Sequence, residues 1–302
     1  MILDRIIYSA ISRRPKLEWP EGARVALWLV PNVEHYEYLP RPGQLRDPWP
    51  RTPHPDVLGY ARGDYGNRIG FWRMIEVIDR YRIPCTVSLN LAVYQHFPEI
   101  FEACEARRWE VLCHGIYNTD YLWGLPESKE REFIAECVEL HRRLTGRELL
   151  GWFSPAGSLT VHTPDLVAEA GIKYYCDWRF DEQPFPIKVR TGQLLTLPYQ
   201  LEVNDGVNFD FRYGVEAEVF AQTAIEMFDR LYQDGAENGR VMHLALHPFL
   251  IGQPHRIRQL DRVLKHITAH DGVWMATGGQ IADWYSKNYL PLLAAQIAAD
   301  AV

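Results

Sequence analysis

The feature that most restricts this chain is a repeat of short, mainly apolar runs, each followed by a stretch with helical periodicity. The runs are RVALWLV (24–30), CTVSLN (85–90), WEVLCH (109–114), LLGWFS (149–154), IKYYC (172–176), LLTLPY (194–199), VMHLALH (241–247) and VWMA (273–276). Runs of this length and apolarity read as strands buried on both faces, which is the pattern of a parallel sheet. Between them the spacing predicts helices over 71–82, 98–108, 127–146, 163–171, 216–232 and 254–270, and from 279 onward. The helix over 163–171 has a Thr-Pro start, read as a Thr163 cap with Pro at the first helical position. A parallel sheet covered by helices accounts for the alternation, and with about eight units a single barrel is more economical than an open sheet plus a second domain. No Gly-rich linker, internal repeat or low-complexity tract divides the 302 residues, so the expectation is one domain over 1–302 with its core over about 17–285.

Composition narrows the function. With 32 basic against 39 acidic side chains the net charge is −7, which offers no footprint for nucleic acid or an anionic membrane. Hydrophobic content of 47% with 24% charged residues excludes disorder and supplies a sizeable core. Cys85, Cys104, Cys113, Cys137 and Cys176 form no C-x-x-C pair and read as reduced thiols. The N-terminus has no secretory pattern, so a cytoplasmic location is expected. The segment over 31–67 is rich in Pro and Gly, through which no helix is expected to run. A loop of that length is usually functional, and it is expected beside the ligand, narrowing the mouth.

In a parallel α/β barrel the reactive groups gather at the C-terminal ends of the strands. The polar and turn residues at the run ends and just beyond them are Asn32, Glu34 and His35; His114, Asn118 and Asp120; Ser154, Pro155 and Ser158; Asp177 and Asp181; Asn204 and Asp205; and His247. One acid, two strand-end histidines and several amides form a hydrolase's set of base, acid and carbonyl-polarising donors. Phosphate loops, dinucleotide fingerprints and G-x-S-x-G elbows are absent from the sequence, which removes nucleotide-dependent and serine-nucleophile chemistry. Strand alternation turns Cys113 away from His114 and argues against a cysteine nucleophile. His243 reads as structural, His54, His96, His141, His162, His255, His266 and His270 as surface residues, and Asp177 and Asp181 as solvated loop acids.

RVALWLVPNVEHYEY, CHGIYNTDY, GWFSPAG and LALHPFLIGQP, in this order, resemble the polysaccharide deacetylase superfamily. YGNRIGFWRMI (65–75), LPYQLEVND (197–205) and ALHPFLIGQPHR (245–256) resemble its cofactor-independent allantoinase and cyclic-imide hydrolase branch. The resemblance implies an α/β fold, a single irregular (β/α) barrel of the deacetylase type with seven or eight strands, and a homodimer or homotetramer. It makes His247 the family's C-terminal catalytic histidine. The metal-dependent members carry D-x-D or DD after the first strand and H-x-x-x-H after a later one. Here those elements read Asn32-Val33-Glu34 and His114-Gly115-Ile116-Tyr117-Asn118, and the Arg-Pro element is replaced by Ser154-Pro155. An Asn amide cannot act as general base, and a catalytic zinc normally takes three His, Asp or Glu ligands, where only Glu34 and His114 remain. Catalysis without a cofactor is the expectation, with zinc or another divalent metal as the alternative.

The expected catalytic residues are Glu34, His114 and His247; Asn32, Arg68, Asn118, Ser154 and Asp205 are expected to bind substrate, with Asp64 near enough to pair with Arg68 instead. The leading expectation is a hydrolase of non-peptide C–N bonds that opens a small cyclic amide, imide or ureide. Water attacks a ring carbonyl with Glu34 or a histidine as base, and His114, His247 or backbone N–H groups meet the developing charge. The alternatives are a divalent-metal-dependent deacetylase of an N-acetylated sugar or peptidoglycan fragment, and an inactive carbohydrate-binding barrel.

Overall fold

β1 (Val25–Val33) is the strand around which the sheet is organised, and it is buried along its whole length. The computed structural model describes residues 4–39, 55–211 and 214–300. After β1 come α1 (Val57–Tyr65), a π-helical turn (Gly66–Gly70), α2 (Phe71–Tyr81), β2 (Thr86–Leu89), α3 (Val93–His96), α4 (Pro98–Ala106), β3 (Glu110–Cys113) and α5 (Glu127–Thr145). The chain continues with β4 (Gly151–Trp152), α6 (Thr163–Glu169), β5 (Tyr174–Tyr175), β6 (Phe185–Ile187), β7 (Leu194–Thr196) and α7 (Ala217–Asp234). It ends with β8 (Arg240–Leu246), α8 (Ile257–Thr268), β9 (Val273–Met275), α9 (Gly278–Asn288) and α10 (Leu290–Asp300).

The strands lie in the order β6-β7-β5-β4-β3-β2-β1-β8, with β9 also on β1. Every pair is parallel except β6–β7. The curled sheet is drawn together between β7 and β8 by one bridge, Asn204 to Ala245, and by the Gln200 amide, which accepts from His243 N (3.1 Å) and donates to Val241 O (3.0 Å). Period-two alternation divides the apolar side chains into two cores. Ala26, Trp28, Val30, Leu112, Tyr174 and Val241 pack inside the curl. Val25, Leu27, Leu29, Val87, Val111 and Leu244 pack outward against the helices.

The helices follow their apolar stripes. α2 buries Phe71, Met74, Ile75, Val77 and Ile78 and stops at Arg82, which is left-handed (φ 52°), two residues before Pro84. α5 carries Glu127 and Glu130 in its first turn and Arg142 and Arg143 in its last, matching the helix dipole, and ends on left-handed Gly146.

Three expectations need correction. The 31–67 segment is not irregular throughout: β1 continues to Val33 and α1 occupies Val57–Tyr65, started by the Asp56 carboxylate accepting from Gly59 N (2.9 Å). Residues 40–54, which hold His54 and most of the loop expected at the mouth, lie outside the described residues. Thr163 does not cap α6, since it lies inside the helix with its hydroxyl on Glu130. β4 and β5 shrink to two residues each, and a Cβ at Gly151 would lie 2.1 Å from the Tyr174 ring that fills the lumen beside it. All five cysteines are free and buried, and no described helix is long and apolar enough to cross a membrane.

Candidate active site

Alternation carries the inward face of three strands to one end of the barrel. On β1 it runs through Ala26, Trp28, Val30 and Asn32 to Glu34, on β3 through Leu112 to His114, and on β8 through Val241, His243 and Ala245 to His247. The three terminal side chains meet and are almost fully buried. Glu34 Oε1 lies 3.4 Å from His247 Nε2 and 3.7 Å from His114 Nε2. The other carboxylate oxygen accepts from Tyr36 OH at 2.6 Å. Behind His247, Asp205 is wholly buried; its oxygens accept the His247 backbone N–H (2.9 Å) and the ring Nδ1–H (2.6 Å). The result is a line, Asp205–His247–Glu34–His114.

Protonation follows from that line. Burial alone would lower His247, but Asp205 and Glu34 on either side outweigh it and raise it to about 10, so the ring is an imidazolium at neutral pH. Burial pushes Glu34 up, and the positive His247, then His114 and the Tyr36 hydrogen bond, carry it below the ordinary carboxylate range. Burial raises Asp205 more than His247 pulls it down; the proton of the pair nevertheless stays on the imidazole, which has a carboxylate on both sides. His114 is lowered, chiefly by burial, and is neutral. Its Nδ1–H donates to Phe153 O at 3.0 Å, so Nε2 holds a lone pair and can only accept. His114 therefore has no proton to offer an oxyanion, which leaves that part of the expectation to His247 or backbone N–H groups.

The surroundings hold these groups still. Asn90 clamps both strand ends, accepting from His35 N (2.9 Å) and donating to His114 O (2.5 Å), while Asn67 donates to Glu34 O (3.0 Å). Gly115 has φ 74°, and a Cβ there would sit 2.4 Å from Pro155, which is why glycine follows His114. The π-turn brings Gly66 and Gly70 against the backbone of Phe249 and Pro248, the residues just after His247; a Cβ on Gly70 would be 2.0 Å from Pro248 O. One wall of the site is aromatic: Phe153 stacks on His114 (4.6 Å) and against Tyr199 (4.7 Å).

The residues expected on substrate divide. Asn118 is buried with its side-chain oxygen lacking a partner, so it keeps an unused acceptor. Asn32 does not: it accepts from Tyr199 OH (2.8 Å) and donates to Val30 O (3.1 Å). The Ser154 hydroxyl donates to Asp177 (2.7 Å) and accepts from Trp152 Nε1 (3.1 Å). Asp205 serves His247, and Arg68 is 68% exposed and paired with Asp64. Each of these four is thus engaged by a protein partner in this structure, and Arg68 is also turned to solvent. Asp177 and Asp181 are not solvated loop acids either, as one is held by Ser154 and the other by Arg14 at 2.6 Å; His141 is buried on Tyr94 OH (2.8 Å) rather than at the surface.

Sequence reasoning missed Tyr36, Tyr199 and Arg179. Arg179 follows β5 and lies over the rings of Phe153 (5.3 Å) and Tyr199 (5.9 Å), with no ion pair or hydrogen bond among the described residues. Its position after a strand end was the one available signal. A separate cavity of about 260 Å³ is lined by Glu37, Tyr117, Asp120, Leu125, Phe133 and Glu136 among others, and none of Glu34, His114 or His247 lines it.

A metal tests poorly against this donor set. Glu34, His114 and His247 do not form a group whose ligand atoms all lie within 4.8 Å of one another, although each histidine nitrogen is near Glu34. Two nitrogens on one zinc, each about 2.1 Å from it, can be at most about 4.2 Å apart. Glu34 and His114 alone are two ligands where a catalytic zinc takes three.

The model of the polysaccharide deacetylase family matches residues 63–175. A solved structure of a probable polysaccharide deacetylase from Pseudomonas aeruginosa PAO1 is 30% identical, with a TM-score of 0.79 over 91% of this chain and 96% of that one. The structure of PuuE allantoinase is 29% identical, with a TM-score of 0.81 over 91% of this chain and 94% of that one. A peptidoglycan deacetylase of Helicobacter pylori is 23% identical over 75% of this chain and 87% of its own length.

Proposed function

Starting from the fact that the chain belongs to the polysaccharide deacetylase family and is a hydrolase of non-peptide C–N bonds, we propose that it opens a small cyclic amide, imide or ureide with water as nucleophile. One observation carries this reading: a carboxylate base, Glu34, lies 3.4 Å from an imidazolium, His247, that Asp205 keeps charged. A base and an acid are thus both in working form at neutral pH.

Glu34 takes a proton from water, and the oxygen attacks the ring carbonyl. His114 Nε2, an acceptor, orients that water from the other side. The imidazolium of His247 meets the charge on the carbonyl oxygen and then gives its Nε2 proton to the departing nitrogen as the C–N bond breaks. The proton on Glu34 passes back to His247 across the same 3.4 Å gap, which resets the pair. A depressed Glu34 is always ionised but is a weak base, and this favours an imide or strained ring carbonyl, which is more electrophilic than an ordinary acetamide. The Phe153–Tyr199 wall offers a face for a flat ring, and Arg179 above it offers free N–H donors for an oxygen of the substrate.

Family membership favours a second reading, the divalent-metal-dependent deacetylation of an N-acetylated sugar. The deciding experiment is a screen of allantoin, hydantoins, succinimide and N-acetyl sugars, each with and without chelator, on the wild type and His247→Ala. Ring opening should be insensitive to chelator and fall at least tenfold in the variant, a loss of about 1.4 kcal/mol of transition-state stabilisation. Turnover confined to acetyl sugars and abolished by chelator would establish the second reading. Turnover of nothing, with ligand binding unchanged by His247→Ala, would make the chain a binding barrel.

A further inference from the structure

At the opposite end of the barrel, where α7 leads into β8 and α8 into β9, the described residues hold a different cluster. Asp229 of α7 faces His266 in the last turn of α8, and His270 comes four residues on, just past the helix end. One donor atom of each of the three lies within 4.8 Å of the others. His266 Nε2 is 2.7 Å from Asp229 Oδ1. His270 donates its Nδ1–H to His266 O at 2.9 Å, which leaves its Nε2 lone pair as the one open to an ion. That is how metal-binding histidines are held, with the second nitrogen on a carbonyl that fixes tautomer and ring angle.

We propose that Asp229, His266 and His270 bind a divalent transition ion of the zinc class, as a clip between α7 and α8. Two imidazoles and a carboxylate are a borderline N/O donor set that suits zinc, and water would complete the coordination. Phe228 stands edge-on to both imidazoles (5.8 and 5.0 Å) and Tyr232 packs on His270 (5.2 Å), so the rings lose little freedom on binding. The C-terminal end of α8 carries partial negative charge that favours a cation there. A plain ion pair between the helices would need only Asp229 and His266, whereas an ion would also use the Nε2 of His270. The N-terminal end of barrel strands is the face that serves stability rather than chemistry, so this ion would brace the fold and take no part in hydrolysis. It follows that total bound metal says nothing about the mouth unless the two ends are resolved.

The test uses the full chain, stripped with chelator and titrated with ZnCl2 by calorimetry, with thermal unfolding followed in parallel. Wild type and the mouth variant His114→Ala should each take up one zinc at this site and unfold at a higher temperature with it. His270→Ala should weaken that uptake at least tenfold and lose the zinc-dependent rise. Asp229→Asn changes an exposed side chain with little change of shape, and should do the same even if the histidine variant folds poorly. Equal zinc affinity in wild type and both helix variants, or uptake lost in His114→Ala but kept in His270→Ala, would overturn the proposal. Neither result depends on the reaction assigned to the mouth.

Discussion

Replacing Asp205 by Asn removes one charge from a wholly buried carboxylate and leaves its shape. Raising His247 from 6.5 to about 10 corresponds to roughly 5 kcal/mol in favour of the imidazolium, drawn against burial first from Asp205 and then from Glu34. Losing half of that would bring His247 to about 8, and losing nearly all of it to about 7. The amide does more than neutralise. The His247 backbone N–H already claims an oxygen at 2.9 Å, so the variant turns its NH2 toward Nδ1 and favours a neutral ring. The expected result is an alkaline limb of the pH–rate profile that moves from near 10 toward about 7, with kcat at neutral pH lowered by roughly 10² to 10⁴, the scale seen when the carboxylate behind a catalytic histidine is removed. Stability moves in the same sense. A histidine raised in the folded state contributes fully below its unfolded value of about 6.5, and that contribution is lost as pH rises through about 10. The wild-type Tm should therefore decline across that interval and the variant's should not. An Asp205→Asn enzyme whose alkaline limb stays in place, with kcat within twofold of wild type, would refute the role given to the Asp205–His247 pair.

Glu34→Gln keeps the Tyr36 contact but removes the base, and steady-state rates should fall roughly 10² to 10⁴ while ligand binding persists. Arg179→Met should raise KM about tenfold with little change in kcat or Tm, because the residue is exposed and makes no ion pair or hydrogen bond among the described residues. Gly70→Ala forces a methyl group onto the Pro248 carbonyl; urea denaturation should register a loss of about 1–3 kcal/mol or more, and activity should drop with it, since Pro248 follows His247 directly.

Much of this barrel is written locally. The run VMHLALH is a strand because it is apolar and short, and its inward alternation puts His243 and His247 on one face whatever it packs against. The same reasoning brings out Glu34 and His114, and these three do meet. It could not place α1, because Pro and Gly dominate 31–67 while an Asp56 cap starts a helix among them. It could not show that Asn32 and Ser154 are already bonded to Tyr199 and Asp177.

What the sequence determined, then, is the strand and helix series, the polar groups at each strand end, and a donor set short of the usual metal ligands. Only the tertiary structure decided that Asp205 lies under His247, that His114 has no proton to give at Nε2, and that Arg179 stands over the aromatic wall. The physical reason is distance along the chain. Periodicity and capping act over a few residues, whereas protonation states depend on charges brought from remote segments into a buried site, where two carboxylates, at 2.6 and 3.4 Å, together outweigh the cost of burying a cation.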